Sequence, residues 1–73
     1  MNDIPLVPVI SSLARGIGYD APTQTLAVEH HDRTLYHYRD VTPRQHQALM
    51  SSKSKGSFLH EHIRGKHPHS QVK

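Results

Sequence analysis

Apolar and polar positions along the chain change period three times, and each change predicts an element. Residues 4–10 read IPLVPVI. Two prolines among apolar residues exclude a helix interior and a central strand, because each removes a backbone donor, and leave an extended edge segment. Residues 11–19 mix Leu13, Ala14 and Ile17 with Gly16 and Gly18, the pattern of a short strand bent at its glycines. Residues 20–23, Asp-Ala-Pro-Thr, are a turn signal. In residues 25–30, Leu26 and Val28 alternate with polar or small neighbours. In residues 34–39, Tyr36 and Tyr38 share one face while Leu35 and His37 share the other. Both segments have the two-residue period of a half-buried strand, and residues 31–33 join them as a β-hairpin.

The period then lengthens. Thr42 is a candidate N-cap, and Pro43 follows at the first helical position, where its missing donor costs nothing. A short helix over residues 44–51 is expected to turn Ala48, Leu49 and Met50 inward. A second over residues 57–63 is capped by Ser57, points Phe58, Leu59 and Ile63 inward and stops at Gly65. The remainder, His-Pro-His onward, is expected to be disordered. The fold class is therefore α+β: a small antiparallel sheet of about three strands, followed by one or two short helices packed on one face. The expected core is Leu13, Ile17, Leu26, Val28, Leu35, Tyr38, Val41, Leu49, Phe58, Leu59 and Ile63. The chain divides into an N-terminal arm (1–9), an α+β domain (10–65) and a flexible basic, histidine-rich tail (66–73).

Composition narrows the chemistry. With 73 residues there is room for one domain and a thin core. There is no cysteine, hence no disulfide and no thiolate ligand, which fits a reducing cytoplasm. No signal peptide or membrane-spanning run is evident. Charge is lopsided. Residues 1–50 hold four arginines against five acids, a net of −1; residues 51–73 hold Lys53, Lys55, Arg64, Lys66 and Lys73 against Glu61, a net of +4. Such a segment attracts phosphate or an acidic protein surface, though solvated charge for solubility alone is the simpler alternative. Eight histidines are present, and protonating all of them carries the formal charge from +3 to +11.

No catalytic motif occurs, and a chain of this length struggles to wall a substrate pocket, so no enzyme is expected. His60-x-His62 and His67-x-His69 offer imidazoles to a metal. Residues two apart on a helix face different ways, however, and the second pair flanks a proline, so neither a metal nor another cofactor is expected. Tyr36 and Tyr38 fit two roles. They are a stacking platform for unpaired bases, or, as the largest side chains of a sheet that must be covered, they are core. The core role is favoured, which leaves Arg33, His37 and Arg39 at or near the surface.

The order and spacing of several short pieces resemble the KTSC domain, a module found at the C-terminus of some lysyl-tRNA synthetases and alone in bacterial and phage proteins. The pieces are Ser11-Ser12, Gly18-Tyr19-Asp20, Leu26-x-Val28, Tyr36-x-Tyr38, Val41 with a nearby proline, Ser54-x-Gly56-Ser57-Phe58 and Ile63-Arg64. The chain departs from the family pattern at Asp32-Arg33, where a glycine is usual, at the inserted Thr42, and at His46, where an apolar residue is usual. The resemblance implies no catalytic residue and suggests RNA binding. The length and whole sequence are also similar to small phage-encoded regulators of host transcription. That similarity implies an adaptor that binds bacterial RNA polymerase, inhibits initiation and promotes terminator read-through. The alternative is a single-stranded RNA-binding module. The expected contact residues are Ile4, Leu6 and Val7 in the arm, and Arg33, Arg39, Lys53, Lys55, Arg64 and Lys66 as the basic set. The expected partners are polymerase subunits and nascent RNA, with no membrane and no small-molecule substrate.

Overall fold

A computed structural model describes residues 4–73; the first three residues of the expected arm lie outside it. Five strands form one antiparallel sheet in sequential order: β1 (Val7–Pro8), β2 (Ala14–Asp20), β3 (Thr25–His30), β4 (Leu35–Tyr38) and β5 (His69–Gln71). Between β4 and β5 come α1 (Pro43–Ser51) and α2 (Lys55–Phe58), the latter running directly into a π-helical turn (Leu59–Ile63). The α+β class and the antiparallel sheet are as the alternation implied, with five strands in place of about three.

The register follows from the pleat. Leu26 opposes Tyr38 and Val28 opposes Tyr36, while Ile17 opposes Val28 across the other edge of β3. These side chains share one face of the sheet. The helices cover it with Leu49, Leu59 and Ile63, which form the buried core with Ala14, Ile17, Leu26, Val28, Tyr38 and Val41, while Tyr36 packs against it only partly buried. Each fully buried aliphatic side chain contributes about 1.5–3 kcal/mol. Thr42 caps α1 as expected: its Oγ1 accepts from the Gln45 amide at 3.1 Å, and Gln45 Oε1 accepts from the Thr42 amide at 2.9 Å.

Five expectations are corrected. Ala48 is exposed, because the inward stripe of α1 is Gln45, His46, Leu49 and Met50. Leu35 lies on the opposite face with Glu29, and Leu13 and Phe58 are only partly buried, while Ala14 and Ala27 are fully buried. The second helix begins at Lys55 after Ser54, whose side chain makes no cap bond; Ser57 lies inside the helix, within 3.0 Å of the Ser54 hydroxyl. The stretch expected to be a disordered tail supplies β5, docked through backbone: the Arg39 amide donates to the Pro68 carbonyl at 2.8 Å, and the Val72 amide to Leu35 at 2.7 Å. The arm is likewise part of the sheet, with Val7 paired to Ile17 and Pro8 to Gly16. Just ahead of β1, Ile4 and Leu6 lie half-buried over Gly16 and Gly18 on the face away from the helices. That approach requires the glycine: a Cβ on Gly18 would overlap the Pro5 carbonyl oxygen and the Ile4 side chain.

Candidate functional site: an aromatic groove under the last helix

The helices leave one end of their sheet face open. On β4, Tyr38 is almost fully buried at 4% exposure, whereas Tyr36, two residues earlier on the same face, is only half-buried. The two rings lie 6.4 Å apart, inclined by 25°. His30, at the end of β3, meets Tyr36 edge-on at 5.3 Å. From β5, His69 sits 6.1 Å from Tyr36 and 5.6 Å from Tyr38. Also lining the groove are His60 of the π turn and Arg64 and Gly65 directly after it. The half-open groove has a volume of about 590 Å³ and is also lined by Leu13, Asp32 and Thr34.

Local sequence explains the geometry. The turn after β3 has Arg33 at φ 73°, a left-handed conformation that glycine adopts without strain, and Asp32 accepts there from Thr34. Thr34 donates to Asp32 from its hydroxyl at 2.6 Å and its amide at 3.1 Å, and these bonds hold the Asp32 carboxyl below its usual range. In the π turn the Arg64 amide donates to the Leu59 carbonyl at 2.8 Å, five residues back. Gly65, at φ 78°, then releases the chain toward β5. Burial raises the Tyr38 hydroxyl, with the Arg64 charge opposing, so this phenol is a neutral hydrogen-bonding group at ordinary pH. Arg64 forms no ion pair with any carboxylate among the described residues. The groove thus joins half-open aromatic and imidazole rings to a guanidinium that makes no direct ion pair among the described residues.

Two shallower hollows continue it. The first shares Leu13, His60 and Arg64 with the groove and adds Ser12, Ser54, Gly56 and Ser57. The second shares Ser12, Ser54 and Gly56 with the first and reaches Lys53 and Lys55. Of the contact residues expected from the sequence, Arg64 therefore lies in the groove, and Lys53 and Lys55 lie at the far end of its continuation. The Lys55 ammonium donates to the Ser52 carbonyl at 3.1 Å. Lys66 is exposed just beyond Gly65. Arg33 is exposed at its turn, and Arg39 lines a separate hollow on the opposite face with Ile4, Asp20 and His37. Ile4 and Leu6 are half-buried and Val7 is 54% exposed on the edge strand.

His30, His60 and His69 were not among the expected contacts. For His30 the pleat carried the signal, since it alternates in step with Leu26 and Val28. The histidine pairs do not act as pairs. His62 packs on Phe58 at 4.7 Å, away from His60, and the His67 ring lies 3.1 Å from the Arg39 carbonyl, anchoring the lead-in to β5. No group of three or more histidine or acidic side chains converges on a metal position among the described residues.

A small meander sheet with two helices on one face and this Tyr-x-Tyr strand define a recognisable class. The KTSC domain family matches residues 10–67, and the chain belongs to it. The crystal structure of a KTSC domain protein from Yersinia pestis superposes with a TM-score of 0.92 at 34% identity, over 97% of this chain and 100% of that one. An uncharacterized protein of Stutzerimonas stutzeri is 36% identical over 61 residues, 84% of this chain and 86% of its own length. The lysine–tRNA ligase of Trichormus variabilis is 31% identical over 68 residues, which are 93% of this chain and 12% of the ligase. The chain thus spans about an eighth of the ligases it matches. No helix among the described residues is long and apolar enough to cross a membrane.

Proposed function

We propose that this domain is a single-stranded RNA-binding module that reads unpaired bases in the groove between β4 and the π turn. The observation that carries the proposal is the half-open Tyr36 ring, set between His30 and His69 in a groove that Arg64 also lines. A base stacked on an aromatic ring gains about 1–3 kcal/mol irrespective of its identity, and a guanidinium beside it serves phosphate or a π-face. The groove volume of about 590 Å³ falls in the ordinary range for small-ligand sites, roughly 300–1,000 Å³, enough for one or two nucleotides. The serine and lysine hollows extend the same path for the backbone. Similarity to part of lysine–tRNA ligases agrees with a role beside RNA.

The test is a titration of fluorescently labelled single-stranded RNA followed by anisotropy at rising salt. Binding is expected, with log K falling linearly in log salt by about 0.7 per phosphate neutralised. Arg64→Ala is expected to weaken binding and flatten that slope. An affinity too weak to measure at low salt overturns the reading. The second reading is an adaptor that docks on bacterial RNA polymerase without chemistry of its own, and what favours it is the net +4 charge of residues 51–73, suited to an acidic protein surface. Its test is co-purification of polymerase subunits with the tagged chain. Recovery of polymerase by a chain that ignores RNA puts the adaptor reading first.

A further inference from the structure

We infer that the groove takes up protons together with its RNA, so that ligand affinity is set by pH across the mildly acidic range. This rests on the RNA reading above and adds its regulation. Imidazole is the side chain that ordinarily changes charge between about pH 5 and 8. Three elements each bring one to the groove: β3 brings His30, the π turn His60 and β5 His69. No other segment lining the groove supplies a group that titrates in that window. The turn after β3 supplies Asp32, which its Thr34 bonds keep ionised throughout. Arg64, directly after the π turn, supplies a guanidinium, a group that is not deprotonated in proteins. β4 supplies the phenols of Tyr36 and Tyr38, and burial raises the Tyr38 hydroxyl further from that window. Glu61 lines the adjoining hollow and lies 3.9 Å from His62.

Apart from its three imidazoles the groove holds one guanidinium and one carboxylate. A phosphate drawn in by Arg64 favours the protonated form of each imidazole near it. By linkage, protonation must then favour the phosphate equally. Acid thus converts a balanced aromatic groove into a cationic one without moving the fold. The relevant ligand is phosphate-bearing: an uncharged nucleoside gains nothing from the change.

The experiment is the anisotropy titration with the full chain and a labelled oligouridylate at pH 7.5 and 5.5, with folding verified by circular dichroism at both. Affinity is expected to rise about tenfold or more on acidification, as uptake of one proton over one pH unit requires. The salt slope is expected to steepen by about 0.7 for each histidine that becomes charged against a phosphate. In the His60→Gln/His69→Gln double variant the same pH step is expected to change affinity less than about threefold. His37→Gln, on the opposite face of the sheet, is expected to keep the full gain. Binding that does not vary with pH, or a double variant that retains the whole gain, overturns proton coupling and leaves RNA binding standing. Absence of binding at both pH values overturns the RNA reading and the coupling with it.

Discussion

Tyr36 and Tyr38 project from one face of one strand, 6.4 Å apart, yet the second is core and the first is an open wall of the groove. Their substitutions therefore separate stability from binding. Tyr38→Ala is expected to cost about 3–5 kcal/mol, the range for truncating a buried aromatic, enough to unfold much of so small a domain. Tyr36→Ala is expected to stay folded and lose about 1–3 kcal/mol of RNA affinity, the worth of one stacked base. Chemical denaturation and anisotropy on the two variants check this. Equal losses of stability in both would make Tyr36 core as well.

The glycines under the arm make a graded pair. At Gly18 an added methyl overlaps the Pro5 backbone, which cannot yield unless the arm lifts. At Gly16 it meets the Leu6 side chain at 3.4 Å, close to an ordinary contact. Gly18→Ala is expected to lower stability by about 1–3 kcal/mol, as overpacking does, and Gly16→Ala by clearly less. Thermal melts of the two proteins show whether the arm belongs to the fold.

At Arg33 the chain holds a left-handed conformation that costs a branched backbone about 1–2 kcal/mol and glycine almost nothing. Arg33→Gly is expected to stabilise the hairpin by up to about 1 kcal/mol. It is also expected to leave RNA affinity within twofold or so, because this arginine lies outside the groove. A rise in urea midpoint at unchanged slope is the confirming result.

His46, half-buried on the inward side of α1, stacks on Tyr19 with ring centroids 4.5 Å apart. Burial lowers its pKa, so the folded state resists a proton that the unfolded chain accepts. Above the ordinary histidine range both states are neutral and nothing is lost. As pH falls through that range only the unfolded chain gains a proton, and stability declines until the folded ring titrates too. Melting temperature is expected to drop between pH 7.5 and 5.5. His46→Phe, which keeps a ring against Tyr19, is expected to reduce that drop.

Much of the scaffold was legible because its signals are local. The Leu26–Val28 and Tyr36–Tyr38 alternation specifies the central hairpin, and Thr42-Pro43 marks the start of α1. What escaped sequence reasoning is held by backbone or by distant partners. His69, Ser70 and Gln71 have no apolar pattern, and they form a strand because β4 offers an edge and the Arg39 amide donates to the Pro68 carbonyl. The groove shows the same division. The shared face of the tyrosines followed from the pleat. The placing of His60 and Arg64 above them depends on a π turn, and no residue in positions 59–63 announces one.

The central claim is that RNA occupies the groove between β4 and the π turn, and amide chemical-shift mapping by NMR tests it most directly. Uniformly labelled chain is titrated with an oligouridylate to saturation. The largest shifts are expected at Tyr36, His60, Arg64, Gly65 and His69, with smaller ones toward Ser54 and Lys55, and none at Val7, Gly16 or Gly18 on the arm side. Shifts confined to the arm side, or a spectrum unchanged at saturating RNA, would contradict the account.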